Sequence, residues 1–381
     1  MAAVALTPFE SALASRAPAF AGLPHRRLES WKWTDVRAAL REDMASASED
    51  VIAPSVFANA GPLEVLVMNG RAEIPETPPK GVSIRLEAVS ISAGHPLGDL
   101  AAALSRETLL IDIEGAVAQP ILLRRVAGAG AVHGLVRVRL APGASATIIE
   151  SFDGAGAFFS NSATGYDIGA GAHLTRIIRQ NAGEAGVETS FAPIVIGQNA
   201  RLDQTALLLG GKLVRIETRV RCDGADARVS MRSAAVLSSA RHADATSLVE
   251  HQATGAQTRQ LHRAAIKDRA RGVFQGKFLV ARGAQKTDAE MNAGALLLSG
   301  TAEANHKPEL EIYADDVKCA HGSTAGALDA EAIFYMRQRG LTEHQARALL
   351  VEAFLGEVFD GLPAGIEHIL RGQLGRWLEG A

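Results

Sequence analysis

From about Leu109 the chain repeats one pattern: a short apolar run that reads as a β-strand, then a glycine-bearing turn. LLIDIEG, ILLRRVAG, LVRVRLAPG, HLTRIIRQN, KLVRIETRVRCDG and GKFLVARG follow one another in this way. A turn signature, Gly-Ala followed by small or polar residues, begins at Gly143, Gly171, Gly255 and Gly283. Related turns begin at Asn199 (NARLD) and Gly224 (GADAR). In chain order the intervals are 28, 28, 25, 31 and 28 residues. The short and long intervals compensate, so the register is kept. A fixed period with a glycine or asparagine corner predicts a parallel β-solenoid, because the corner needs a backbone conformation that those residues tolerate. Ala144, Ala172, Ala200, Ala225 and Ala256, each following a corner, then form an internal column of small side chains. A β-sandwich also has many short strands, but gives no reason for one turn to recur at constant spacing.

The pattern differs at both ends. Residues 7 to 44 read as helical, with Phe9, Leu13 and Ala17 at helical spacing and Pro18 as an interruption. Within RRLESWKWTDVRAALREDM, Trp33, Val36, Ala39 and Leu40 share one helical face. Trp31 and Trp33 among basic residues allow a stacking platform for nucleic acid. Tryptophans packing a small helical region against its neighbour is the simpler reading. Leu63–Met68 and Val82–Ile91 read as short strands in a linking layer. After Asp329, an N-cap, comes a helix to Arg339 with Gly340 as its stop. Thr342 and Gln345 form a capping box for a second helix, and Pro363 opens a third through Ile366, Leu370, Leu374 and Trp377. The chain thus divides into an N-terminal helical region (1–60), a mixed linking layer (61–108), a parallel β-helix core (109–325) and a C-terminal helical domain (326–381). A solenoid's last circuit exposes unpaired backbone, so this end is expected to meet a partner.

Composition narrows the function. The 381 residues carry a formal net charge of −3, which gives no ground for nucleic acid as a partner. Thirty-seven glycines against 5% aromatic residues fit many turns around a thin core. Two cysteines make no disulfide framework and point to a reducing compartment, the cytoplasm. No secretory signal and no membrane-spanning stretch is read. Neither GxGxxG nor GxxxxGK[ST] occurs, so any ATP use is expected on a partner.

Candidate chemistry centres on Cys319 and His321. On a strand, residues two apart emerge on one face, and thiolate and imidazole suit iron or zinc. Two ligands do not close a site. Completion within the chain would need His306, Asp315, Asp316 or Cys222, and completion by another chain across an interface is the more natural route. A buried cysteine beside a surface histidine is the competing reading. A Cys–His nucleophile lacks an orienting group and an oxyanion hole here. Asp315 and Asp316 could serve a solenoid hydrolase or lyase, but sugar-stacking aromatics are missing. Cys222 reads as structural. His173, His242, His251, His262 and His306 have no tight metal spacing; His251 and His262 stand out only for lying inside the regular body.

RGVFQGKFLVARGAQKTDAE and LLLSGTAEANHKPELEIYADDVKCAHGSTAGALDAEAIFYMRQRG resemble the SufD-type subunits of the Suf iron–sulfur cluster assembly machinery. RRLESWKWTDVR is similar to the N-terminal signature of the same family. Ala320 stands where a serine is usual, and Met291-Asn292 where a glutamine-bearing stretch is usual. The resemblance implies a right-handed parallel β-helix flanked by N- and C-terminal helical domains. It implies pairing with a SufB-type scaffold through the β-helix and with a SufC-type ATPase through the C-terminal helices, with a homodimer as an allowed state in isolation. It also implies a non-enzymatic role in which Cys319 and His321 lie at the scaffold interface and take part in forming a transient cluster. No tightly bound cofactor is expected in isolation. The alternative is a purely structural subunit that positions the ATPase.

Overall fold

The structure, a computed structural model, describes residues 6–41, 54–88, 94–105, 107–128 and 130–379. From Thr108 to Gly326 the chain alternates between two sheets, so each strand is hydrogen-bonded to the strand two further along the sequence. One sheet has ten strands and the other nine, and nearly every pairing is parallel. The exceptions are Leu63–Met68 with Arg71–Glu73 and Val82–Glu87 with Thr108–Ile113, both antiparallel at the first circuit. This is a flattened parallel β-solenoid, as the repeat requires.

The true register runs through the ladder Ser145, His173, Arg201, Arg228, Gln257, Asp288 and Lys318, with steps of 28, 28, 27, 29, 31 and 30 residues. The left-handed corner residues are Gly143, Gly171, Asn199, Asp226, Gly255 and Lys286. Each corner N–H donates to the carbonyl of the residue before the next corner, from Gly143 to Ala170 through Lys286 to Asp316. Two expected corners are therefore corrected. Asp226 and Lys286 take the positions assigned to Gly224 and Gly283, because the recurring Gly-Ala pair sits two to three residues before the bend in those circuits. Gly224 is glycine for another reason: an added Cβ would lie 1.9 Å from the Gln198 nitrogen. The column of small residues is correspondingly Ala144, Ala172, Ala200, Ala227 and Ala256, each about 1% exposed or less, while Ala225 is only half-buried.

Alternation along each strand separates two kinds of packing. Inward residues of both sheets, among them Ile148, Tyr166, Ile194, Val220, Phe274, Phe278 and Met291, fill the lumen. Outward Leu122, Ile149, Ile177, Leu207 and Ala265 of the ten-stranded sheet carry Val351, Leu355, Phe359, Leu370 and Leu374 of the C-terminal helices. Burying one such side chain contributes about 1.5–3 kcal/mol. The helices run Ala330–Gln338, Glu343–Gly356 and Ala364–Glu379. Asp329 Oδ1 accepts from Glu331 and Ala332, and the Thr342–Gln345 capping box is present.

The N-terminal segment covers the other sheet and is less helical than the spacing predicts. Among its described residues helices span only Pro8–Ala14 and Val36–Ala39, with a 3-10 turn at Glu29–Trp31, and the end of the predicted helix at Met44 lies outside the described residues. The backbone there answers to the solenoid. The Ser30 carbonyl accepts from Arg215, the Thr34 hydroxyl donates to Asp244, and the Arg215 guanidinium lies 3.9 Å from the Trp31 ring centroid. Trp31 is therefore a packing residue. A helix at Pro96–Leu104, unread in the sequence, starts where His95 Nδ1 accepts from the Gly98 N–H.

Candidate functional site

The solenoid ends in two strands, Glu303–Ile312 on the nine-stranded sheet and Lys318–Gly326 on the ten-stranded sheet, each the last in its sheet. Register fixes what they present. Cys319, His321 and Ser323 pair with Ala289, Met291 and Ala293, which are inward and buried. They continue the lumen's side-chain columns onto a circuit with nothing above it. On the facing strand His306 and Leu310 continue the columns of Phe274 and Phe278. The His306 Nδ1 meets the Ser323 hydroxyl at 3.0 Å and ties the two terminal strands across the lumen.

Cys319 and His321 therefore share the inward face, as their spacing predicts. Cys319 is half-buried against the last apolar layer, and His321 is exposed. Burial pushes the Cys319 thiol up, with the Ala289 N–H opposing it. The isolated chain thus keeps this sulfur protonated at neutral pH, and a metal would have to displace the proton.

Of the residues considered for completing the site within the chain, only His306 is carried to this end of the lumen. Asp316 sits in the corner turn, paired with Lys286, and Asp315 is exposed beside it. Cys222 is fully buried three strands further in, about 14 Å away at the usual strand spacing. Its thiol is pushed up to about 12 by burial, with Asp223 adding to the effect. Among the described residues no three His, Cys, Asp or Glu side chains are grouped to hold a metal ion. Ser323 went unassigned in the sequence and His306 was named only as a distant recruit, because their proximity depends on a 32-residue step from Phe274 to His306 on the opposite sheet. The alternation Cys-x-His-x-Ser was the available signal.

The end is also open to pairing. Lys318 N–H donates inward to Thr287, so in a parallel ladder the N–H and C=O groups of Cys319, His321 and Ser323 point to the free edge. Ile312 and Tyr313 are 40% and 57% exposed at the same end, and Phe334 and Tyr335 are 59% and 60% exposed on the first C-terminal helix.

A family model described as "SUF system FeS cluster assembly, SufBD core domain" matches residues 124–354, more than half of the chain and including both terminal strands. The chain belongs to the SufBD family. It is 30% identical over 387 aligned residues to the iron-sulfur cluster assembly protein SufD of Escherichia coli K12, covering 94% of this chain and 90% of that protein. A SufBD family protein of Synechocystis is 28% identical, with 92% and 86% covered. The chloroplastic protein ABCI7 of Arabidopsis thaliana is 34% identical over 155 residues, 40% of this chain and 33% of its own. The chain is a SufD homologue in an iron–sulfur cluster assembly family, with the parallel β-solenoid that the resemblance implies. Among the described residues no helix is long and apolar enough to cross a membrane.

Proposed function

We propose that this chain is the SufD-type subunit of a cytoplasmic assembly complex, contributing Cys319 and His321 to a nascent iron–sulfur cluster at its interface with a SufB-type scaffold. The observation that carries this reading is the inward row Cys319, His321, Ser323 on the last, unpaired circuit. Thiol and imidazole donors lie there on a surface that a second solenoid can cover. The scaffold supplies the remaining ligands, which fits two donors that cannot close a site alone. The cluster is cargo, formed from iron and sulfide and passed on. The C-terminal helices dock a SufC-type ATPase, and exposed Phe334 and Tyr335 offer the apolar anchors such docking uses. No catalytic step is assigned to this chain. Boundaries near 60, 108 and 325 separate the flanking regions from the β-helix.

The absence of any three-ligand group among the described residues favours a second reading, in which the chain positions the ATPase and every ligand lies on the scaffold. Anaerobic co-purification with the SufB- and SufC-type partners decides between them. Cys319→Ala should leave the complex's mass unchanged and sharply reduce its bound iron and sulfide. Full metal in the intact variant complex would assign the cluster to the scaffold alone.

A further inference from the structure

At the open end the lumen holds two histidines from opposite sheets, His306 on the terminal strand Glu303–Ile312 and His262 two strands in from Lys318–Gly326, whose rings are perpendicular with centroids 5.7 Å apart. Each has the same supporting arrangement. Ser233 Oγ lies 2.8 Å from the Nδ1 of His262, and Ser323 Oγ lies 3.0 Å from the Nδ1 of His306. Both Nε2 atoms are buried with no hydrogen-bond partner, and His262 is 1% exposed. Leaving a buried polar atom unsatisfied costs about 1–3 kcal/mol, so two such atoms on adjacent rings call for an explanation. His133 and His251 also carry an orphan nitrogen, but each faces a phenylalanine and no second imidazole.

The rings are held in place. Phe274 stacks on His262 at 4.7 Å and meets His306 edge-on. Ala293 occupies the column position between His262 and Ser323. Two imidazoles sharing one ion through nitrogen at about 2.0–2.1 Å place their centroids about 5–6 Å apart, which the observed separation matches. Binding through one ring nitrogen while the other is held by a hydrogen-bonding group is the usual support for a metal-ligating histidine.

We propose that His262 and His306 form an inner two-imidazole site for a divalent first-row metal ion, on the lumen side of the terminal circuit that carries Cys319 and His321. With neutral nitrogen donors and no thiolate, it takes a borderline ion such as iron(II) or zinc(II). With only two protein ligands, its remaining positions are water, so the ion exchanges readily and the site is a way-station. That iron is the physiological ion rests on the cluster-assembly reading; the existence of the site does not.

The test is an anaerobic titration of cobalt(II), used as the probe, into the full-length chain. Expected is visible d–d absorption that saturates at one equivalent, without a thiolate charge-transfer band, and that persists in Cys319→Ala. His306→Gln, at a half-buried position, should abolish it, and Ser323→Ala should weaken binding about tenfold while keeping both ligands. Cobalt should also raise the wild-type melting temperature and leave that of His306→Gln unmoved. Absence of a saturable signal in the wild type overturns the proposal. So does a signal indifferent to His306→Gln, or one that carries a thiolate band and vanishes in Cys319→Ala. The cluster reading fails on a different result, full iron and sulfide in the Cys319→Ala complex, which leaves this titration unaffected.

Discussion

Glu150 and Arg176 have no exposed surface, yet they face each other as an ion pair in the lumen of the solenoid. Burial alone would raise the Glu150 carboxyl. Arg176 and Arg125 beside it, with the Tyr166 hydroxyl donating at 2.7 Å, outweigh that and hold it down at about 2. A carboxylate held below its unfolded value adds stability that is present above about pH 4.5 and is lost as pH falls toward 2, worth about 3 kcal/mol here. Glu150→Gln strands two buried guanidinium groups and should cost about 3–5 kcal/mol in denaturant unfolding at neutral pH. It should also flatten the acid limb of the wild-type stability curve below pH 4.5. A separate acid limb comes from His242 and His251, both pushed down to about 4 by burial. The unfolded chain takes up their protons first, so stability should begin to fall near pH 6.5 and continue to fall toward pH 4. Urea midpoints measured across this range would show the two limbs separately, and only the lower one should respond to Glu150→Gln.

At the scale of elements, the corner ladder shows what the residues disclose and what they hide. The period, the parallel strands and the small-residue column were all legible, because the corner conformation restricts residue type at constant spacing. The exact register was not, since Asp226 and Lys286 adopt the left-handed conformation without being glycine and a nearby Gly-Ala imitates the turn. Gly171 tests the cost. Its φ is +65° and nothing lies within 4 Å of an added Cβ, so substitution there is limited by backbone conformation alone. Gly171→Ala should destabilise by about 1 kcal/mol, and Gly171→Asn by distinctly less, as Asn199 already fills the equivalent corner. Equal losses for both in thermal melts would mean that the corner is not what limits the position. The N-terminal segment failed differently. Its helical spacing was real, but Ser30 and Thr34 make their bonds to Arg215 and Asp244 on the solenoid, and tertiary partners override propensity. In the candidate site, Cys319 and His321 were legible from their spacing as strand neighbours. His306 was one of four residues named for completing the site, and its proximity could not be read because its place depends on the sheet opposite.

The whole molecule is a stack of circuits sealed along its sides and unsealed at one end. N-terminal segments cover one sheet and C-terminal helices the other, while the last strand of each sheet keeps a free edge. An isolated chain with two ten-residue-scale edges of this kind risks indiscriminate pairing unless a specific partner occupies them. Ala325 allows the edge to be tested apart from the ligands. It lies on the strand Lys318–Gly326 in the same alternation as Cys319, His321 and Ser323, so its N–H points away from the ladder with Asp288–Leu297. Ala325→Pro removes one edge donor and leaves the internal ladder intact, a substitution that an edge strand accepts. The isolated chain should therefore melt within about 0.5 kcal/mol of the wild type, and both cobalt titration and Cys319 alkylation should be unchanged. If the SufB-type partner adds its strand to this edge, the variant should associate with it at least several-fold more weakly by sedimentation or mass photometry. Unchanged association would mean that the partner meets the side chains of the open end and leaves the backbone edge free, which would confine the interface to the inward row and the exposed Ile312 and Tyr313.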